Sequence, residues 1–353
     1  MRVQRAQPPG AVVVVTGASS GIGRATALAF AKRGARVVLT ARSAGALEQV
    51  ARQCAGAHPR AEAAWACADV SDEGAMVRIA QTAVARFGRI DVWVNAAGIG
   101  VLGTVEQVPV ADMSRVWDVN VLAPVRGARA ALPYMRDQGR GVLITVSSVL
   151  GGAVQAPYMG AYAASKAALV SLDETLRQEL ALTGGRGIAV CTVLPAGVDT
   201  PFFTHMGNHS RRRLKSLPPT ATPERVARVV VRTAARPRRR VRVGPGARLL
   251  PWAHTVAPGL VERAVASRTE HGYLDAPDTA PVTTGALYRA CDGAAAVRGG
   301  AHASLRTLGR RAAVAAVIGA AGAVGARSVL RSGPGSPPTT SFRTRGLPFR
   351  RRS

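Results

Sequence analysis

Over the first two-thirds of the chain, short apolar runs alternate with longer stretches whose apolar residues recur at helical spacing. The runs predict strands at Val12–Thr16, Arg36–Thr40, Ala63–Ala68, Asp91–Asn95, Gly141–Ser147, Ile188–Leu194 and Arg240–Val243. Several are nearly unbroken Val, Ile and Leu, the pattern of strands covered on both faces. Between them the period predicts helices over Ile22–Arg33, Ala44–Ala55, Asp72–Phe87, Ala111–Arg136, Gly160–Leu182 and Pro223–Ala235. Strand and helix in strict alternation define an α/β, doubly wound parallel sheet of about seven strands, filling residues 1–245.

Past Gly244 the register changes, and residues 246–330 read as a helical and loop C-terminal extension. An amphipathic helical pattern runs over 245–275 around Pro258, and 276–300 is a loop rich in Gly, Ala and Asp. Ala312–Ala326 is a 15-residue uncharged stretch between Arg311 and Arg327. A membrane-spanning helix needs about 20 apolar residues. The stretch leaves three readings open: a helix packed on the domain, a membrane-associated helix, or a disordered tail. Residues 331–353, dominated by Pro, Gly, Ser, Thr and Arg, predict a disordered basic tail.

Charge follows this division. The chain of 353 residues carries a net +27. Residues 211–353 alone hold 27 basic and 6 acidic side chains, a net of +21. Only three lysines occur among the 47 basic residues, so the excess is arginine. No aromatic–basic platform accompanies the arginines, which argues against nucleic acid as a partner. An anionic membrane surface fits the basic C-terminal part better. Cys54, Cys67, Cys191 and Cys291 have no metal-ligand spacing, so no metal is expected. No secretory leader is legible, so the expectation is cytoplasmic, with peripheral attachment at the inner face of the membrane left open.

The first strand runs into Thr16-Gly-Ala-Ser-Ser-Gly21-Ile-Gly23 and then an Ala-rich helix. Strand, glycine turn and helix together are the context of a dinucleotide fingerprint. Gly17 permits the tight turn, Gly21 lets backbone approach a pyrophosphate, and Gly23 lets helix and strand pack closely. The helix N-terminus offers unpaired N–H groups to phosphate. After the second strand comes Thr40-Ala41-Arg42-Ser43, where an NAD-preferring site would place a carboxylate. Arg42 can instead pair with a 2′-phosphate, so NADP(H) is favoured over NAD(H).

Tyr162 and Lys166 stand four apart, which on a helix puts both on one face. A phenol beside an ammonium is suited to proton transfer, and the charge is expected to pull the phenol below its usual pKa of about 10.

Taken together these motifs resemble the short-chain dehydrogenase/reductase family over about residues 10–245. The residues that carry the resemblance are Thr16–Gly23, Asp69-Val70, Asn95-Ala96-Ala97-Gly98 and Asn120 in Asp118-Val-Asn-Val. Ser147-Ser148, Tyr162-Ala-Ala-Ser-Lys166 and Pro195-Ala-Gly-Val-Asp-Thr200-Pro201 complete the set. The resemblance implies a Rossmann-fold enzyme with Asn120, Ser148, Tyr162 and Lys166 as catalytic residues. It also implies cofactor contacts at Ser19, Ser20 and Ile22 in the turn, at Asp69 and Val70 near the adenine, and along Asn95–Gly98. Pro195, Gly197, Val198 and Thr200 would face the nicotinamide, with Tyr162 and Lys166 serving both cofactor and catalysis. Between the two serines Ser148 is preferred, because Ser147 falls on the other side of an extended strand. Asn120 resembles the family's helix-embedded asparagine, whose backbone anchors a water leading to Lys166. The family's Pro-Gly appears here as Pro195-Ala196-Gly197, a one-residue shift of the glycine. Family members commonly associate through long helices, here near 111–136 and 160–182, so a homo-oligomer is expected.

Phe202, Phe203 and Met206 make an apolar lid, with Val101, Leu150, Val154 and Tyr158 lining the rest of a substrate pocket. The implied reaction is hydride transfer between NADP(H) and a carbonyl or secondary alcohol on a hydrophobic molecule of lipid, steroid-like or polyketide type. Three alternatives remain: an NAD-dependent alcohol dehydrogenase, an epimerase or dehydratase relative, and a non-catalytic nucleotide-sensing protein at the membrane periphery.

Overall fold

A computed structural model of the protein describes residues 10–214, 220–290 and 296–299. Among the described residues nine strands fall in chain order: β1 (Val12–Thr16), β2 (Arg36–Ala41), β3 (Glu62–Cys67), β4 (Val92–Asn95), β5 (Val101–Leu102), β6 (Gly141–Val146), β7 (Ile188–Pro195), β8 (Gly207–Asn208) and β9 (Arg240–Val243). Seven of them form one parallel sheet in the order β3-β2-β1-β4-β6-β7-β9. All seven expected strands are present, with ends shifted by a residue at most.

The strands are apolar on both sides because helices cover both sides. Val13 and Val15 of β1 join Phe30, Leu47, Val50, Val226 and Val230 in one buried layer. Val12 and Val14 point the other way, to Met76, Ile79, Phe87, Trp93 and Met135. That is the two-residue period of a strand dividing its side chains between two cores. The outer strands show their position in their composition. β3 is largely exposed, and β9 alternates arginine with valine, which blunts a sheet edge.

Helix ends depart from the periodicity where local chemistry intervenes. The third helix starts at Ala75, behind Gly74 at φ +74°, and not at Asp72. The long helix expected at Ala111–Arg136 is Val110–Trp117 and Ala123–Asp137, joined by a π-helical turn at Asp118–Leu122. Such turns insert one extra residue and recur at functional positions; this one carries Asn120. Gly160–Leu182 and Pro223–Ala235 are as expected, the latter capped by the Thr222 hydroxyl with Pro223 in its first turn.

In the extension, Pro258 separates two helices, Leu249–Val256 and Pro258–Arg268, because proline starts a helix readily and interrupts one badly. Leu250 and Val261 pack on Val149, Val154, Val170, Leu194 and Ala247. Leu249, Trp252, Val256 and Leu260 stay exposed. A π-helical turn, Thr269–Tyr273, follows. Among the described residues no helix is long and apolar enough to cross a membrane. The expectations for Ala312–Ala326 and the basic tail lie outside the described residues.

Candidate active site

Between β1 and β4 the strand order reverses, and the crevice at the carboxyl ends of these strands is where such sheets bind ligands. Thr16 ends β1, and its hydroxyl accepts from the amides of Ala96 and Ala97, both at 3.1 Å. This bond locks the Asn95–Gly98 segment against the glycine turn. Gly17 has φ +67°, and a Cβ there would lie 2.7 Å from the Ala97 Cα. A Cβ on Gly23 would overlap the Gly17 carbonyl. The turn is therefore closed to side chains on both counts. Ser20 caps the Gly21–Ala31 helix in extended conformation without spending its hydroxyl on the cap. A backbone cradle of this kind at a helix N-terminus fits a dinucleotide's pyrophosphate.

Ser148, Tyr162 and Lys166 come together at the end of β6. The Tyr162 and Ser148 hydroxyls lie close enough for Ser148 to lower the phenol's pKa, and the Ser148 hydroxyl accepts from the Leu150 amide at 3.1 Å. Lys166 is buried, its ammonium 5.6 Å from the Tyr162 ring centre and donating to the Val146 carbonyl at 3.1 Å. Ser147 faces away and donates to the Lys166 carbonyl at 2.7 Å, fixing the long helix to the strand. Asn120 is fully buried. Its amide holds both polar groups of the Ile99 backbone at 2.9 Å and donates to Ser165 at 3.0 Å. Asn120 thus ties the floor loop to the helix that carries Tyr162.

The expected depression of the tyrosine is not found. Burial pushes the Tyr162 phenol up to about 12, only partly offset by the Ser148 bond. Burial also brings Lys166 down to about 8. Desolvation is the leading cause of both shifts in this closed groove, where the Phe202 ring lies 5.2 Å from that of Tyr162.

The structure brings together some of the residues named for the apolar lid and not others. Leu150, Tyr158, Phe202, Phe203 and Met206 share one cluster with Tyr162. Val101 lies instead in the central core, paired through β5 with Gly207 of β8, and Val154 packs under the extension helices. Their places are taken by Leu102, Met159, Leu214 and Leu274, which sequence reading missed. Leu274 comes from the extension, far from the motif region in sequence. Tyr158 holds φ +64°, a strained value for a bulky residue. Its hydroxyl donates to Glu270 at 3.1 Å, and Arg212 bonds the same carboxylate at 2.6 Å.

Just past the carboxyl ends of β2 and β3, Asp69 accepts from the Ser71 amide and hydroxyl at 2.9 and 2.7 Å and pairs with Arg115. Burial alone would raise this carboxyl; the bonds from Ser71 and Arg115 prevail and hold it below its usual range. Arg42 lies 3.9 Å from the same carboxylate. Two guanidiniums therefore flank Asp69, and Arg115 carried no motif that could have announced it. Beside them the extension enters the groove. Arg42 donates to the carbonyls of Ala286 and Leu287 at 2.8 and 3.3 Å, and Arg115 to Leu287 at 2.9 Å. The Asn95 side chain turns inward to the Trp93 indole at 2.8 Å, so only its backbone is left to line the crevice. Past the carboxyl end of β7, the Thr200 methyl approaches Gly21, and Ala196, in the place of the family's glycine, packs on Gly244.

The short chain dehydrogenase family matches residues 11–211. The chain is 34% identical over 285 residues to the uncharacterized oxidoreductase YxnA of Bacillus subtilis, covering 79% of this chain and 78% of that one. It is 32% identical to the dehydrogenase/reductase SDR family member 7B of Bos taurus, covering 75% and 83%. Among solved structures, a short chain dehydrogenase/reductase from Burkholderia phymatum in complex with NAD superposes with a TM-score of 0.63 at 28% identity, covering 72% and 95%. An alcohol dehydrogenase from Thermococcus sibiricus complexed with 5-hydroxy-NADP gives 0.57 at 26%, covering 66% and 94%. The chain belongs to the short-chain dehydrogenase/reductase family. It is an oxidoreductase with a dinucleotide-binding fold.

Proposed function

We propose that the protein is an NADP(H)-dependent oxidoreductase interconverting a hydrophobic ketone or aldehyde and its alcohol. The observation that carries this reading is the Ser148–Tyr162 hydroxyl pair, with buried Lys166 beneath it and the Leu150, Phe202 and Met206 side chains in front. The glycine turn with Ser19, Ser20 and Ile22, Arg42, Asp69-Val70, the Asn95–Gly98 floor, Lys166 and Pro195–Thr200 would hold the cofactor. Bound there, a nicotinamide dinucleotide supplies or accepts the hydride. Tyr162 gives its hydroxyl proton to the oxygen of the carbonyl as that oxygen gains charge, and Ser148 donates a hydrogen bond that orients it. A phenol with a raised pKa is protonated at neutral pH, the state a proton donor needs. Asn120 acts through position, by holding Ile99 and the Tyr162 helix.

Preference for NADP(H) is supported by the two arginines at the adenosine end, where an NAD-type site would present a free carboxylate to the ribose. The carboxylate present, Asp69, is already engaged by Arg115. Homo-oligomer formation is supported by Trp117, Leu122 and Leu172, exposed on the expected association helices. Light scattering tests it, and a monomer at micromolar concentration would refute it. Attachment to anionic membrane is supported by the +21 of residues 211–353 and is tested by flotation with anionic vesicles across a salt series. The redox reading itself is tested by NADPH consumption with ketones and aldehydes of increasing apolar size. Lack of turnover across that panel, with NADPH bound, would favour a nucleotide sensor.

A further inference from the structure

The chain's own backbone sits on the nitrogen donors that the cofactor's phosphates would need. The Leu287 carbonyl takes both Arg42 and Arg115, and the Ala286 carbonyl takes Arg42 again. Further along, the Ala296 carbonyl accepts from the Gly21 amide at 3.0 Å, in the turn that cradles pyrophosphate. Each contact puts a carbonyl oxygen, a neutral acceptor, where an anionic oxygen would be expected.

The segment is well held. Leu287 is fully buried, in the same core layer as Val70, Ile99 and Val116. The Tyr288 hydroxyl donates to Asp112 at 2.6 Å. Thr283 exchanges two backbone bonds with Asn208, and the Ala286 amide donates to the His205 carbonyl at 2.8 Å. Arg298 pairs with Glu224 at 3.1 Å, and Gly299 lies so close to the Thr200 carbonyl that a Cβ would come within 2.5 Å.

We propose that residues 283–290 and 296–299 are an internal pseudo-ligand of the dinucleotide groove, which the cofactor must displace to bind. The proposal rests on the groove being the dinucleotide site. One N–H cannot serve a carbonyl and a phosphate at full strength, so the two occupants compete. Apparent cofactor affinity is then the intrinsic affinity scaled by the fraction of molecules with the segment released. Arg115 becomes the second guanidinium presented to the 2′-phosphate on release. Extension and active site are in this way coupled through the cofactor.

The test uses the full chain, its Leu287→Ala and Tyr288→Phe variants, and NADPH titrated by nicotinamide fluorescence. Removing the buried leucine weakens the segment, so Leu287→Ala should bind NADPH about tenfold tighter or more. Tyr288→Phe, which deletes one hydrogen bond, should tighten it a few-fold. In hydrogen exchange on the wild type, saturating NADPH should speed exchange at 283–290 and slow it at 17–24. Weaker NADPH binding by the variants, or greater protection of 283–290 with NADPH, would overturn the proposal and make the segment a lid that closes over the cofactor. If either variant fails to fold, the wild-type exchange decides by itself. Folded wild type and variants that all ignore NADPH and NADH would refute the dinucleotide reading, and the proposal with it.

Discussion

Tyr162 is the residue on which the chemistry turns. Tyr162→Phe keeps the ring that packs against Phe202 and removes the exchangeable proton. The expected result is a fall in turnover of roughly 10²–10⁴-fold with NADPH affinity nearly unchanged; retained turnover would remove the proton-transfer role. The arginines carry a separate expectation. Arg42→Ala should shift the preference for NADPH over NADH by about tenfold or more toward NADH, measured as the ratio of the two affinities because loosening residues 283–290 would favour both cofactors alike. The four-residue spacing and the serine fourteen residues earlier were readable in sequence, since a helix and a strand each have a fixed period. The protonation state was not readable. It depends on how far Phe202 and the lid exclude water, a property of residues distant in the chain.

At the scale of elements, the glycine turn and the long helix behind the site make the clearest demands. Gly23→Ala would drive a methyl into the Gly17 carbonyl. A loss of about 1–3 kcal/mol in unfolding free energy is expected, together with weakened NADPH binding, from melts and titration. The long helix also carries Asp173, buried where the Thr145 and Thr192 hydroxyls donate to it at 3.0 and 2.6 Å. Burial raises its carboxyl to about 6, against the opposing effect of those hydroxyls and of Arg177. The folded state thus binds this proton more tightly than the unfolded chain. Stability should fall as pH rises from about 4 through 6 and then level off, by up to about 3 kcal/mol. Asp173→Asn should remove that slope in urea midpoints measured across the window. Strands were legible at this scale because a doubly covered sheet demands unbroken apolar runs. The π-helical turn was not, because Asn120 finds its partners, Ile99 and Ser165, only in the folded packing.

For the molecule as a whole, the extension reaches both ends of the crevice. Leu274 closes the apolar cluster around Tyr162, and the Leu287 carbonyl sits on Arg42 and Arg115. Leu274→Ser should raise KM for large apolar ketones several-fold and leave NADPH affinity unchanged, a split that steady-state kinetics would resolve. An equal loss on small and large substrates would instead mean a general loss of structure.

The order of residues was enough to determine the alternating sheet, its covered faces, the glycine turn and the Ser–Tyr–Lys set, because each is written in local spacing that backbone geometry converts directly into position. Tertiary structure alone decided which apolar side chains meet around Tyr162, that Arg115 joins Arg42 at Asp69, and that carbonyls from beyond residue 280 rest on Arg42, Arg115 and the Gly21 amide. Those contacts join segments separated by up to about 275 residues (Gly21 to Ala296), and no local period records which distant surface will cover which.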